Sequence, residues 1–212
     1  MKVARFFSVI FAVLGVVLLL ATVVISFASM NSTVKILENP EEALACSEQF
    51  QQLLNEGNYS DMAALVYGQP DLGMEGVPDD GYTAMLWDAF RQNISFAYTG
   101  KLYLLDSELA RDGVITVLDL AAVTKSAQER ADKLLQQTVA NAADDDSSVY
   151  EADGTLKKSV VEQILQQALQ QALEEDAAYV SWNVTVKLIR REGKWWAIPD
   201  RNFFEALSGP AV

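Results

Sequence analysis

Few side chains in this chain could carry out chemistry, and the missing types narrow the field as much as those present. None of the 212 residues is a histidine, which removes imidazole acid–base steps, His-containing triads and His-rich metal sites. Cys46 is the single thiol. It falls on the apolar side of a helical pattern with no cluster of cations beside it, the setting of a structural thiol and not of a nucleophile. Asp144-Asp145-Asp146, followed by Asp153-Gly154, gathers hard oxygen ligands of the kind calcium uses. The spacing fails an EF-hand loop, because counting back from Gly154 puts Val149 at the first ligand position and leaves only Glu151 and Asp153 as acids. That stretch therefore reads as a solvated loop, and neither a metal nor a cofactor is expected. Trp87, Tyr98, Trp182 and Trp196 are the candidate lining of a ligand cavity, with core packing as the competing use of the same rings. Trp195 and Trp196 must point to opposite faces of any strand that holds them.

These residues depend on elements that the apolar spacing predicts. Pro40 opens a helix carrying Ala43, Cys46, Phe50, Leu53 and Leu54 at three- and four-residue intervals, and Gly57 ends it. Ser60 caps a second short helix. A loop over 74–81 precedes a third helix with Met85, Leu86, Trp87 and Phe90. From Asn93 the period becomes two, with Ile94, Phe96 and Tyr98 on one face, and the strand continues past a kink at Gly100 to Leu105. Arg111-Asp112-Gly113 is then a hairpin turn leading into a strand from Val114 to Leu120. Helical stripes return over 121–142 (Val123, Ala127, Ala131, Leu134, Leu135, Val139) and 155–175 (Val160, Ile164, Leu165, Ala168, Leu169, Ala172), an antiparallel helical hairpin with an acidic tip. Val180, Trp182, Val184, Val186 and Leu188 alternate along a further strand. Residues 191–194 turn it back into 195–198 before Pro199, and a last helical turn spans 202–207.

Upstream of all this, the 23 residues from Phe6 to Ala28 are apolar except for Ser8, Thr22 and Ser26, and Lys2 and Arg5 precede them. As a helix the run would be about 34 Å long, enough to cross a hydrocarbon core of about 30 Å. The early cations place residues 1–5 in the cytoplasm and the remainder outside. A cleaved secretory signal is one alternative, since Ser26-Phe27-Ala28 has small residues at alternate positions, but the apolar core exceeds the usual length of about 7–15 residues. A lipid anchor at Cys46 is another, against which Pro40, Glu41 and Glu42 separate Ala43-Leu44-Ala45-Cys46 from the apolar run. The expected organisation is a cytoplasmic N-terminus (1–5), a transmembrane anchor (6–28), a linker (29–39) and one exported domain (40–212). With 16 basic against 29 acidic residues and a net charge of −13, nucleic acid is an improbable partner. The expected partners are the membrane, through the anchor, and a protein or small-molecule ligand.

Helices followed by a curved antiparallel sheet make an α+β plan. The segment from Phe50 through Gln51-Gln52-Leu53-Leu54-Asn55-Glu56 to Gly57-Asn58-Tyr59 resembles the opening helix of nuclear-transport-factor-2-like (NTF2-like) domains, a cystatin-like α+β cone. Val184-Thr185-Val186-Lys187-Leu188 with Gly193-Lys194-Trp195-Trp196-Ala197-Ile198 resembles the closing hairpin of that superfamily. More narrowly, the chain resembles small membrane-anchored extracytoplasmic proteins of Gram-positive bacteria with no assigned function. The resemblance covers about 40–120 and 178–208 and makes the helical hairpin, 121–177, an insertion. It implies a cone with a cavity between sheet and helices, used for ligands, for protein contacts or for catalysis, and fold alone does not choose among them. Some members are isomerases or dehydratases that use a cavity Asp with a Tyr. The comparable set here is Asp119 with Tyr98, Tyr103 or Tyr82, against which stands the ordinary role of an Asp at a strand end as a turn residue. The expected function is a membrane-tethered, non-catalytic binding or assembly module. The alternatives are an enzyme of that Asp/Tyr type and an interaction module acting through the helical hairpin.

Overall fold

Apolar residues at helical spacing build the first layer. The computed structural model describes residues 40–74, 76, 81–142 and 147–208; the apolar run, the linker and the aspartates at 144–146 lie outside them. Helix α1, Pro40–Asn55, buries Ala43, Cys46, Ser47, Phe50 and Leu54 along one side and carries Glu41 and Glu42 in its first turn, where the helix dipole favours them. Gly57, at φ +72°, turns the chain out of it. The cap of α2, Tyr59–Ala63, is Asn58 and not Ser60: its side-chain oxygen accepts from the Asp61 N–H at 3.3 Å. The turn at Gly57 delivers residue 58, not residue 60, to the helix entrance. Helix α3 spans Gly81–Gln92.

A curled, all-antiparallel sheet of five strands forms the second layer. Strands β1, Ser95–Tyr98, and β2, Tyr103–Leu105, both pair with the same side of β3, Glu108–Leu118, so the kink around Gly100 divides one edge into two pieces. The hairpin turn is not at Arg111-Asp112-Gly113. It lies at Asp106-Ser107, where φ values of +52° and +68° match the two-residue turn that suits twisted strands. Arg111, Asp112 and Gly113 run straight through the middle of β3. The glycine there serves packing: a Cβ would come within 2.6 Å of the Phe96 ring and 2.9 Å of the Ala97 carbonyl oxygen.

Asp119 ends β3 and starts α4, Leu120–Asn141, which pairs with α5, Lys158–Glu175. Helix α5 begins three residues after the expected Thr155, because residues 149–157 form a small turn of their own. There Glu151 N–H bonds the Thr155 carbonyl, Lys157 N–H bonds the Val149 carbonyl, and the Asp153 carboxylate accepts from the Thr155 N–H and hydroxyl. Strand β4, Tyr179–Arg191, returns beside β3 along ten residue pairs, and Glu192-Gly193 turns it into β5, Lys194–Pro199. The chain closes on α6, Arg201–Ser208.

The core sits where α1 and α6 meet the concave face of the sheet. Phe50, Phe96 and Phe203 form a ring trio with centroid separations of 5.4–6.3 Å, all essentially buried. The base of the helical hairpin joins this core through Leu120, Val123, Ala127, Leu169 and Ala172, and α5 also packs on α3. Farther out, Ala131, Ile164 and Ala168 make a small cluster of their own, while Val139 and Leu165 are exposed. Among the described residues no helix is long and apolar enough to cross a membrane.

Neighbouring elements cover part of each outer edge of the sheet. Leu65 and Tyr67 bond the Ala197 backbone at 2.9 Å on the β5 side. On the β1 side, Asn55 of α1 acts as a stand-in strand: its amide donates to the Phe96 carbonyl at 2.9 Å and accepts from the Phe96 N–H at 2.7 Å. The Gln51 side-chain oxygen Oε1 takes the Tyr98 N–H at 3.3 Å.

Candidate functional site

The closure of β1 by α1 leaves a groove above it. Period-two alternation in β3 puts Leu109, Arg111, Gly113, Ile115 and Val117 on the side facing the helices, so an arginine stands in an otherwise apolar row. Its guanidinium lies 4.3 Å over the Tyr98 ring centroid. Nε donates to the Gly100 carbonyl at 3.0 Å and an Nη donates to the Ser47 hydroxyl at 3.1 Å. Ser47, fully buried, in turn donates to the Leu44 carbonyl at 2.7 Å. Among the described residues Arg111 and the exposed Arg191 make no ion pair, whereas Arg91, Arg130, Arg190 and Arg201 each hold a carboxylate, and of the two unpaired arginines Arg111 is the half-buried one. In a chain with nearly twice as many acids as bases, that is a cation left without its counter-ion.

The groove has a volume of about 550 Å³ and is lined by Glu48, Gln51, Gln52, Asn55 and Glu56 of α1 with Tyr98 and Arg111 of the sheet. A larger hollow of about 610 Å³ adjoins it past Asn55 and Glu56, lined by Tyr59, Asp88 and Arg91 among others. There the arginine is already neutralised by Asp88 and also donates to the Met74 carbonyl, so the smaller groove holds the available charge. Beneath the groove, burial pushes the Tyr98 phenol well above its ordinary range, against the opposing pull of Arg111, and its buried oxygen has no hydrogen-bond partner among the described residues. Burial likewise raises the Cys46 thiol, with Lys194 pulling the other way. It therefore stays protonated at neutral pH, as a structural cysteine does.

Of the four aromatic candidates, only Tyr98 lines this groove. Trp87 stacks on Phe90, with centroids 5.5 Å apart, and its Nε1 donates to the Gly76 carbonyl at 2.8 Å. Trp182 packs against the core beside Ile115. Trp195 faces the core and Trp196 the opposite side of β5, where it meets Tyr67 and the Lys194 ammonium. The alternation expected of that pair is present, and it takes Trp196 away from the groove.

The Asp/Tyr set is also dispersed. The Asp119 carboxylate accepts from the Ala122 N–H at 3.0 Å as the N-cap of α4. Tyr103 lies on the outer sheet face and donates to Asp112 at 2.7 Å, which pushes its phenol up. Tyr82 packs against the core from α3. Arg111 escaped the sequence reading because Arg-Asp-Gly looks like a turn. The available signal was parity: counting back in twos from Val117 and Ile115 lands on Gly113 and Arg111. Compared with known protein families, with characterised proteins and with solved structures, the chain gives no match.

Proposed function

We propose that this chain is a membrane-tethered extracytoplasmic binding module on an NTF2-like plan, non-catalytic, with the α1–β1 groove as its ligand site. The observation that carries the reading is Arg111, half-buried at the groove, set over the Tyr98 ring and, among the described residues, bonded to neutral acceptors alone. Buried or half-buried charges are ordinarily paired, and a protein that leaves one unpaired in a hollow of ligand size has a place for an anionic group. Helices preceding a curled antiparallel sheet, with Phe50 of the opening helix at the centre of the core, support the NTF2-like plan. The apolar run from Phe6 to Ala28, with Lys2 and Arg5 before it, supports the tether. The Asp119 carboxylate capping α4 supports the non-catalytic reading over the Asp/Tyr enzyme alternative.

A panel of small anions and zwitterions, followed by thermal unfolding of the full chain, tests the groove. At least one member should raise Tm in the wild type and not in Arg111→Gln; equal effects on both proteins would count against it. Protease added to intact cells tests the tether: the domain should be degraded, and full protection would overturn the orientation.

A second reading has its own support. The outer half of the α4–α5 hairpin holds a separate small apolar cluster and exposes Val139 and Leu165, features of a surface for a protein partner. Val139→Ser with Leu165→Ser, both on the exposed outer half and outside the main core, should abolish partner capture in cells on that reading and leave groove binding intact on the first.

A further inference from the structure

We infer that the α1–β1 groove takes a short peptide with free termini, its carboxylate on Arg111 and its ammonium toward Glu56. This rests on the groove being the ligand site. The guanidinium gives Nε–H to Gly100 and one Nη–H to Ser47, which leaves the end-on fork between its two terminal Nη groups to meet a carboxylate in bidentate fashion. Stacking on Tyr98 holds the fork's plane fixed, so little side-chain freedom is lost on binding.

The rest of the lining selects among anions. Glu48 and Glu56 stand in the same groove without reaching ion-pair distance of Arg111. Both disfavour a doubly charged phosphate. Glu48 follows Ser47 at the Arg111 end, whereas Glu56 lies about 12 Å farther along the α1 axis, so a ligand with its anionic end on Arg111 can direct a positive group toward Glu56. Along the same wall the Gln51 side-chain nitrogen and the Gln52 side-chain oxygen, the ends not used on Tyr98 and Glu56, can meet peptide C=O and N–H groups. A volume of about 550 Å³ falls within the range of about 300–1,000 Å³ found for small-ligand sites, room for a few residues and more than a single amino acid requires.

Titration calorimetry of the full chain with Ala-Ala-Ala, its C-terminal amide, its N-acetyl form, alanine, acetate and inorganic phosphate tests this. The tripeptide should bind more tightly than alanine or acetate. C-terminal amidation should weaken it about tenfold or more, and Arg111→Gln should do the same, the two changes together costing no more than either alone. N-acetylation and Glu56→Gln should each weaken it a few-fold, again without adding. Arg111→Lys, which keeps the charge and loses the fork, should fall between wild type and Arg111→Gln. The amide and acetyl arms need no protein variant, so a folding defect in Arg111→Gln leaves them decisive. Phosphate or acetate binding more tightly than the tripeptide would overturn the peptide class while leaving the groove as an anion site. Tripeptide binding that ignores both amidation and Arg111→Gln would place the ligand elsewhere, and no heat with any probe would overturn the site itself.

Discussion

The closure of the β1 edge by Asn55 can be tested with one substitution. Asn55→Ala removes a two-point bond in which the amide donates to the Phe96 carbonyl at 2.9 Å and accepts from its N–H at 2.7 Å. Phe96 is 2% exposed and in ring contact with Phe50, Tyr98 and Phe203, so its backbone is fixed by the core and cannot move to find new partners. Each bond contributes about 1 kcal/mol net, and leaving both groups unsatisfied adds to the loss. Two effects reduce it: Asn55 itself is exposed, so water reaches part of the site, and alanine's better helix propensity returns about 0.5 kcal/mol. The expected destabilisation is about 2 kcal/mol, read as a lower urea midpoint at unchanged slope. Gln52→Ala is the control, because the Gln52 amide reaches only Glu56 on the exposed face, and it should lie within about 0.5 kcal/mol of wild type. If Asn55→Ala matched that control, water would be replacing the amide in full and the stand-in strand would contribute nothing to the edge.

Three further outcomes follow from the same contacts. Gly113→Ala should cost about 1–3 kcal/mol in urea unfolding, because its methyl would meet the Phe96 ring at 2.6 Å and the Ala97 carbonyl at 2.9 Å; a neutral result would mean the ring moves freely. Asp119→Ala should cost about 1 kcal/mol from the lost cap on α4 and leave tripeptide binding unchanged, so a larger effect on binding than on stability would return Asp119 to the functional site. The Arg130 guanidinium, then the Ser126 hydroxyl, hold the Asp176 carboxyl below the usual range. A carboxylate depressed in the folded state stabilises above the ordinary carboxylate pKa of about 4 and loses that contribution as pH falls through its folded value. Carboxyl NMR should therefore show Asp176 titrating below that range in the wild type and moving upward in Arg130→Gln, and an unchanged titration would remove Arg130 as the cause.

Much of the framework is legible in the sequence because apolar spacing is a local signal. Phe50 and Leu54 on α1, Ile94 and Phe96 approaching and entering β1, and Val184, Val186 and Leu188 on β4 are buried as their periods require. The hairpin turn was not legible, since Arg111-Asp112-Gly113 has turn chemistry and Gly113 is there for the Phe96 ring, a contact across two strands that no local pattern carries. The same misplacement hid Arg111. Its place in the groove depends on β3 running from Glu108, on the kink at Gly100 supplying a carbonyl, and on Ser47 arriving from a helix 64 residues away in sequence. Tyr98 was recognisable as a candidate because its alternation with Phe96 and Ile94 put it on the helix-facing side. Trp196 was not separable from Trp195 by type, and only the pairing of β5 with β4 assigns it to the outer face.

The groove is the central claim, and amide shift mapping tests it most directly. With the full chain labelled with ¹⁵N and titrated with Ala-Ala-Ala, the shifts should concentrate at Gln51, Tyr98, Gly100 and Arg111, with the Arg111 Nε–Hε resonance moving at the same ligand concentration. Shifts confined to the α4–α5 hairpin around Arg130 and Gln137, with Arg111 unmoved, would contradict it.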